Sequence, residues 1–259
     1  FTRAGVPAVF NPLRHCVMND FLDQPLRVRR IHSLRSLRWL ALGWSDFTDA
    51  PLIGLMHGLI TAVFGGLLLY FGWTKFWALV GAFSGFLMVA PVLSTGLYAV
   101  SRALGRGQTP TWATVFGVWG SLDRRLVIFG LLLMAAGTTW VTTSAALITW
   151  WSDGQVNTPD QFIRQMVATE DPWLFELWLM MGGLMAAPVF ASTLVTIPLL
   201  MDRPQVSVSQ AVATSWRAVA TNPVLSSLWA GILMTLTLAS FGSLMFLLIL
   251  ALPVLAAAI

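Results

Sequence analysis

Long stretches without charge constrain this chain more than any other feature of its sequence. Residues 218–259 contain no Asp, Glu, Lys or Arg, and shorter uncharged stretches cover 52–74, 76–101, 126–152 and 177–201. A helix needs about 20 apolar residues to cross the hydrocarbon core of a bilayer. Overall, 57% of the residues are hydrophobic and 10% are charged, whereas soluble domains carry about 25% charged residues. The chain is therefore predicted to be an integral membrane protein.

The last uncharged stretch is about twice as long as one crossing requires. The sequence Ser-Phe-Gly-Ser at 240–243 favours a turn that divides it into two helices. The predicted fold is all-α: a polytopic membrane helix bundle with six transmembrane helices at 34–259. A polar, basic segment at 1–33 precedes the bundle, and an acidic outer loop at 153–172 separates the third crossing from the fourth.

Lys and Arg are unevenly divided between the two sides of the predicted bundle. All but two of the 15 Lys and Arg residues lie in the N-terminal segment and in the loops after the second and fourth crossings. The exceptions, Lys75 and Arg164, lie on the opposite side. Because cytoplasmic loops carry an excess of Lys and Arg, the N-terminal segment is predicted to be cytoplasmic.

A cluster of arginines precedes the first crossing. Its members are Arg27, Arg29, Arg30, Arg35 and Arg38. Positive charge beside a membrane attracts anionic lipid, so membrane lipid headgroups are the predicted partner of this cluster. The net charge of +4 is therefore attributed to membrane insertion, and no nucleic-acid partner is expected.

An internal repeat divides the six crossings into three hairpins. The sequence Leu-Met-Val-Ala-Pro-Val at 87–92 recurs as Leu-Met-Ala-Ala-Pro-Val at 184–189. The predicted units are 34–100, 110–200 and 207–259, each made of an interfacial amphipathic helix, an outward helix and an inward helix. Prolines in the inward helices are predicted to kink them, either to fit a curved neighbour or to line a cavity. The shared positions are Trp44, Pro51, Pro91, Trp119, Pro188, Trp216, Pro223 and Pro253.

Few residues in the crossings can carry chemistry. His57 is the candidate at depth, and a neutral imidazole there can ligate a haem or chlorophyll or form a hydrogen bond within a helix interface. The single cysteine, Cys16, excludes an internal disulfide and a cysteine metal cluster. Phosphate-loop and His-Glu-x-x-His motifs are also missing from the sequence. The chain is therefore expected to lack a catalytic site and a metal site, and no cofactor is assigned.

Three stretches carry a resemblance to a known family: Trp-Leu-Ala-Leu-Gly-Trp-Ser-Asp at 39–46, Ala-Pro-Val-Leu-Ser-Thr-Gly-Leu-Tyr-Ala-Val-Ser-Arg at 90–102, and Ile-Pro-Leu-Leu-Met-Asp-Arg at 197–203. They resemble DUF2189, a family of uncharacterised bacterial integral membrane proteins. Some members are labelled putative cytochrome c oxidase subunits. The resemblance implies a multi-pass protein of the bacterial inner membrane and supplies no catalytic residues.

Two classes of function follow. The favoured one is a non-catalytic accessory subunit or assembly factor of a larger inner-membrane complex, in respiratory or photosynthetic electron transfer. It is indicated by crossings that lack charge but are rich in Gly, Met and Trp for packing against other integral membrane subunits. The alternative is a transporter or channel for an uncharged or lipidic small molecule, indicated by the prolines of the inward helices.

Overall fold

The computed structural model describes residues 26, 28–32, 35–72, 75, 82, 93–121, 123–151, 156–164, 173–242 and 253–255. These residues form helices joined by turns and short connections, and none of them is in a strand. The prediction of an all-helical protein is confirmed for this part of the chain.

The described helices α1 to α10 follow one another along the chain with short connections between most of them. In order they are α1 (Arg35–Asp49), α2 (Pro51–Gly72), α3 (described over 93–104), α4 (Trp112–Ser121), α5 (Arg124–Trp151), α6 (Pro159–Phe162), α7 (Trp173–Thr193), α8 (Thr196–Asp202), α9 (Val208–Thr221) and α10 (Pro223–Gly242).

Three stretches of helix are long and apolar enough to cross a membrane. They are Pro51–Leu68 in α2, Arg124–Trp151 in α5, and Trp173–Asp202 in α7 and α8. Helices α9 and α10 meet at 103° and together qualify as a fourth. The second and sixth predicted crossings lie largely outside the described residues, so the six-crossing arrangement stays a prediction.

A short helix precedes a long one three times in the described chain: α1 before α2, α4 before α5, and α9 before α10. Pro51 and Pro223 are the first residues of their long helices. A proline at that position loses no helical hydrogen bond, and its ring already has the helical φ angle. Ser207 and Gln210 form a capping box that fixes the start of α9. The recurring order matches the first two elements of each predicted repeat unit.

Two of the short helices pack through small residues and expose large apolar ones. In α1, Ser36 and Gly43 are buried, while Leu37 and Trp44 are 56% and 53% exposed. In α9 the buried residues are again small, and Trp216 is 47% exposed. Small side chains let these helices approach the bundle closely, and the exposed apolar side chains suit helices that lie in a membrane interface.

The predicted fourth crossing, 177–201, is divided into two helices. Helix α7 runs through Pro188, and a turn at 194–195 then separates it from α8. Proline lacks an N–H, and its ring clashes with the carbonyl four residues earlier. For Pro198 that carbonyl belongs to Leu194, which accounts for the turn just before α8, and the kink predicted at Pro188 stays a prediction.

Helices α5 and α7 pack together through an indole ring lying on a glycine. A Cβ atom added to Gly182 would lie 3.0 Å from Cη2 of Trp140. Nearby, the indole N–H of Trp178 donates to the hydroxyl of Ser144. Glycine at 182 therefore lets the indole of Trp140 lie closely against α7, and a side chain there would displace the ring.

Replacing Gly182 with Val should lower the free energy of unfolding by about 1–3 kcal/mol, because the new side chain overlaps the indole of Trp140. Gly183→Val is the matched control, since a Cβ at Gly183 would have no neighbour within 4 Å. The measurement is the unfolding midpoint of both variants in detergent. Equal destabilisation by the two substitutions would contradict this packing.

Candidate functional site

Polar contacts between helices concentrate at one end of the bundle, which we call the basic end and define by Asp46, Arg125 and Asp202. The hydroxyl of Ser101 donates to Asp46 and so joins α3 to α1. The phenol of Tyr98 donates to Asp202 at 2.7 Å and joins α3 to α8. The ends of several apolar helices are thereby held by side-chain hydrogen bonds.

Asp202 binds two residues that lie one helical turn apart on α3. Its Oδ2 accepts the Tyr98 hydrogen bond, and its Oδ1 lies 3.5 Å from Nε of Arg102. The side chains of Arg102 and Asp202 are 36% and 48% exposed, so the ion pair itself stabilises little. Its effect is to fix the position of α3 against the end of α8.

Arg125 covers the C-terminal end of α8. Its Nη1 donates to the carbonyls of Arg203 and Val206 at 2.9 and 2.8 Å, and its Nη2 donates to the carbonyl of Leu200 at 2.8 Å. The last carbonyls of a helix have no partner within the helix, so one guanidinium here supplies donors for that end. Asp123 binds the same guanidinium at 2.6 Å, and these hydrogen bonds lower the pKa of Asp123 below its ordinary value.

Arg125→Ala should reduce the free energy of unfolding by about 2 kcal/mol, because carbonyls at the end of α8 lose donors with a positive charge. Arg124→Ala is the matched control: it removes the same charge from the neighbouring, exposed position. Thermal unfolding in detergent measures both. A loss of stability in Arg124→Ala that equals the loss in Arg125→Ala would show that net charge, not the capping contact, is responsible.

His57 lies buried in α2, against two tryptophans of α4. The centroid of its ring is 6.2 Å from that of Trp112, with nearly parallel planes, and 5.4 Å from that of Trp119. Nδ1 lies 2.8 Å from the carbonyl oxygen of Ile53. A carbonyl only accepts, so the proton of the neutral ring is on Nδ1, and Nε2 is an acceptor that has no partner among the described residues.

Gly96, Val115 and Trp119 lie close to Nε2 of His57. A Cβ atom added to Gly96 would lie 3.0 Å from Nε2 of His57, 2.9 Å from Val115 and 3.1 Å from Trp119. A metal bonded to an imidazole lies about 2.0–2.1 Å from its nitrogen, and a macrocycle extends around the metal. This packing suits the alternative of a hydrogen-bonded histidine within a helix interface, and ligation of a haem or chlorophyll by His57 stays a prediction.

Purified protein is expected to be colourless in the visible range, because Gly96, Val115 and Trp119 lie close to Nε2 of His57. Absorbance spectra of the wild type and of His57→Ala test this expectation, with His32→Ala as the control because His32 is exposed. A visible band that persists in His32→Ala and disappears in His57→Ala would assign a bound pigment to His57.

The predicted repeat positions have different surroundings. Trp119 packs on His57, whereas Trp44 and Trp216 are exposed, and the Trp216 indole donates to the hydroxyl of Ser192 at 2.9 Å. Pro188 is exposed on α7. Shared position in the repeat therefore does not mean shared burial.

The remaining repeat prolines and the predicted headgroup arginines differ in burial. Pro253 is buried beside Gly54 at the start of α2, and Pro91 lies outside the described residues. The described arginines of the cluster are all exposed, namely Arg29, Arg30, Arg35 and Arg38, whereas Arg27 lies outside the described residues. Contact with lipid headgroups stays a prediction.

Sequence reasoning missed the residues that hold the basic end together. Asn222 accepts a hydrogen bond from the backbone N–H of Ile31 at 2.7 Å and donates to the carbonyl of Arg29 at 3.1 Å. Part of the N-terminal segment is thus docked on the junction of α9 and α10. The sequence marks Asn222 only as the residue before a proline that starts a helix. Its partners, Ile31 and Arg29, are distant in the chain and are seen only in the fold.

The described groups at the basic end suit structural and binding roles. No three His, Cys, Asp or Glu residues among them are placed to hold a metal ion. An open groove of about 630 Å³ lies between the start of α2 and residues 107–112, with Asp49, Gln108 and Trp112 in its wall. The side chains of the basic end can hold helices together, and the groove is open to a ligand or partner at the surface.

The family model DUF2189, described as a predicted integral membrane protein, matches residues 78–202. The resemblance seen in the sequence is confirmed over this range. The matched range contains Tyr98, Arg102, Arg125 and Asp202, so the side chains that clamp α8 all lie within it. No curated protein and no solved structure matches the chain.

Proposed function

We propose that the protein is a non-catalytic accessory subunit or assembly factor of a larger inner-membrane complex. Its partners would be other integral membrane subunits. One observation carries the proposal: α5 has an exposed face made of small residues, which are Ala135, Thr139, Thr142 and Ala146. Small residues at this spacing let a second helix pack closely in a membrane.

The threonines on this face are already satisfied by their own helix. Oγ1 of Thr139 donates to the carbonyl of Ala135 at 2.8 Å, and Oγ1 of Thr142 donates to the carbonyl of Thr138 at 2.9 Å. A neighbouring helix therefore needs no polar group to pair with them. The methyl groups and backbone form a flat surface. The opposite side of α5 packs against α7 through Trp140 and Ser144.

The distribution of ionisable residues also supports a non-catalytic role. Helices α2 and α10 contain no Asp, Glu, Lys or Arg, and those of α5 are Arg124 and Arg125 at its start. Proton and ion transfer through a membrane usually use ionisable groups at depth. The assignment to electron transfer rests on the labels of some DUF2189 members. The orientation with a cytoplasmic N-terminus rests on the distribution of arginines between the two sides.

The transporter alternative gains no support from the two predicted kink prolines within the described residues. Pro188 lies on the exposed surface of α7, and Pro253 packs beside Gly54. Neither contact separates helices to form a path. We therefore favour lateral packing against partner subunits.

Thr142→Leu should reduce co-purification of partner subunits by about tenfold, because a larger side chain on a close-packed interface costs about 1–3 kcal/mol. Thr235→Leu is a matched control: Thr235 is also exposed and donates to its own helix, at 2.8 Å to Gly231. The measurement is quantitative mass spectrometry of tagged protein extracted from native membranes in mild detergent.

Two results would overturn the proposal. One is a wild-type preparation with no reproducible partner, and the other is equal recovery of partners by Thr142→Leu and the wild type. Visible spectra of the recovered partners test the narrower assignment, since electron-transfer subunits with haem absorb in the visible range.

A further inference from the structure

Two distant parts of the chain are held together by the side chain of Asn222, which is buried. Its Oδ1 accepts from the backbone N–H of Ile31 at 2.7 Å, and its Nδ2 donates to the carbonyls of Arg29 and Ala218, each at 3.1 Å. One buried amide therefore fixes the N-terminal segment against the last turn of α9. The backbone of Arg217, one residue before Ala218, is brought close to that segment.

Exposed arginines lie on and beside this contact, and we call them the arginine patch. The N–H of Arg35, at the start of α1, donates to the carbonyl of His32 at 3.0 Å, so the docked segment leads directly into α1. Four members belong to this one stretch of the sequence, and the fifth joins them only through the fold. The members are Arg29, Arg30, Arg35, Arg38 and Arg217.

The arginine patch has no acidic partner among the described residues. The stretches 26–45 and 203–259 contain no Asp or Glu, and the described ion pairs of the basic end use Arg102 and Arg125 instead. Positive charges that are close together repel one another, and the Asn222 contact brings Arg29 and Arg217 together without an acid to offset that repulsion. The patch is therefore suited to an anion from outside the chain.

Large apolar side chains stand beside these charges on both short helices. In α1 the exposed Leu37 directly precedes Arg38, and in α9 the exposed Trp216 directly precedes Arg217. Arginine binds phosphate oxygens through two parallel N–H donors. A phosphate ion in water gains little from exposed apolar side chains, whereas a phospholipid combines an anionic headgroup with apolar tails. The pairing of charge and apolar surface therefore favours an anionic phospholipid.

We propose that the arginine patch binds the phosphate of an anionic phospholipid, and that Asn222 is the residue that positions the patch. Arg217 and the arginines of the docked segment donate to phosphate oxygens, and the acyl chains lie along the exposed apolar side chains of α1 and α9. Because the anion offsets the repulsion within the patch, lipid binding and docking of the N-terminal segment stabilise each other. The proposal goes beyond the accessory role and holds whether or not partner subunits are present.

The test uses the purified full chain in dodecyl maltoside micelles, titrated with dioleoylphosphatidylglycerol. The matched lipid is dioleoylphosphatidylcholine, which has the same acyl chains and no net charge. Native mass spectrometry measures the lipid bound to each chain, and hydrogen exchange of the Ile31 N–H reports whether the segment is docked. The expected result is tighter binding of the anionic lipid, together with slower exchange at Ile31 when that lipid is bound.

A pair of variants that remove one charge separates a positioned site from general attraction. Arg217→Gln should weaken binding of phosphatidylglycerol about fivefold, the effect of one arginine beside an anionic headgroup. Arg106→Gln removes the same charge from an exposed position in the turn after α3 and should leave the affinity nearly unchanged. Both side chains are exposed, so both variants are expected to fold.

Asn222→Ala removes no charge and tests the positioning role. Loss of the Asn222 contacts should release the segment and speed hydrogen exchange at Ile31. Binding of phosphatidylglycerol should weaken at least as much as in Arg217→Gln, because Arg29 and Arg30 leave the site together. The pair of arginine variants carries the test if Asn222→Ala does not fold.

Any of four results would contradict the proposal. Equal losses of affinity in Arg217→Gln and Arg106→Gln would show that net charge alone attracts the lipid. Unchanged lipid affinity in a folded Asn222→Ala would remove the positioning role. Equal binding of the two lipids would show that the patch does not recognise charge. Protection of the Ile31 N–H by inorganic phosphate, equal to that given by phosphatidylglycerol, would make a free anion the ligand.

Discussion

The guanidinium of Arg125 is the interaction on which the basic end depends. Helices that cross a membrane satisfy their own backbone groups, but a helix that ends within the protein leaves carbonyls without donors. Arg125 donates to the carbonyl of Leu200 in α8 and to the carbonyls of Arg203 and Val206 in the connection that follows it. Asp202 is the last residue of α8, so the cap also fixes the position of Asp202 for its contacts with Tyr98 and Arg102.

The sequence predicted the class of fold because its main signal, the absence of charge, is a property of whole segments. The starts of α2 and α10 at Pro51 and Pro223 are of a kind that a sequence can show, because the effect of a proline at the first helical position is local. The sequence did not predict the turn at 194–195, which precedes Pro198 by about one helical turn. A tertiary contact stabilises that turn, since the backbone N–H of Val195 donates to the hydroxyl of Ser215.

The candidate site was less predictable than the fold. His57 stands out in the sequence because it is polar and lies in an apolar stretch, but its surroundings depend on Gly96 and Trp119, which are far away in the chain. Asn222 is an ordinary residue in the sequence. Its role follows from contacts with Ile31 and from burial, and neither can be derived from periodicity. Small residues such as Gly43 and Gly182 lie at close contacts between helices, and the sequence alone does not show which of its glycines do so.

The polar groups of this chain clamp its own helices, and α5 carries an exposed face of small residues whose hydroxyls are satisfied. We propose that the protein works as one subunit among others. The most direct test is the mass of the particle that contains the wild-type chain after extraction from native membranes in mild detergent. We expect a protein mass, after subtraction of bound detergent, well above the 28.3 kDa of the chain, with the same additional integral membrane proteins in each preparation. A particle that contains this chain alone in every preparation would contradict the proposal.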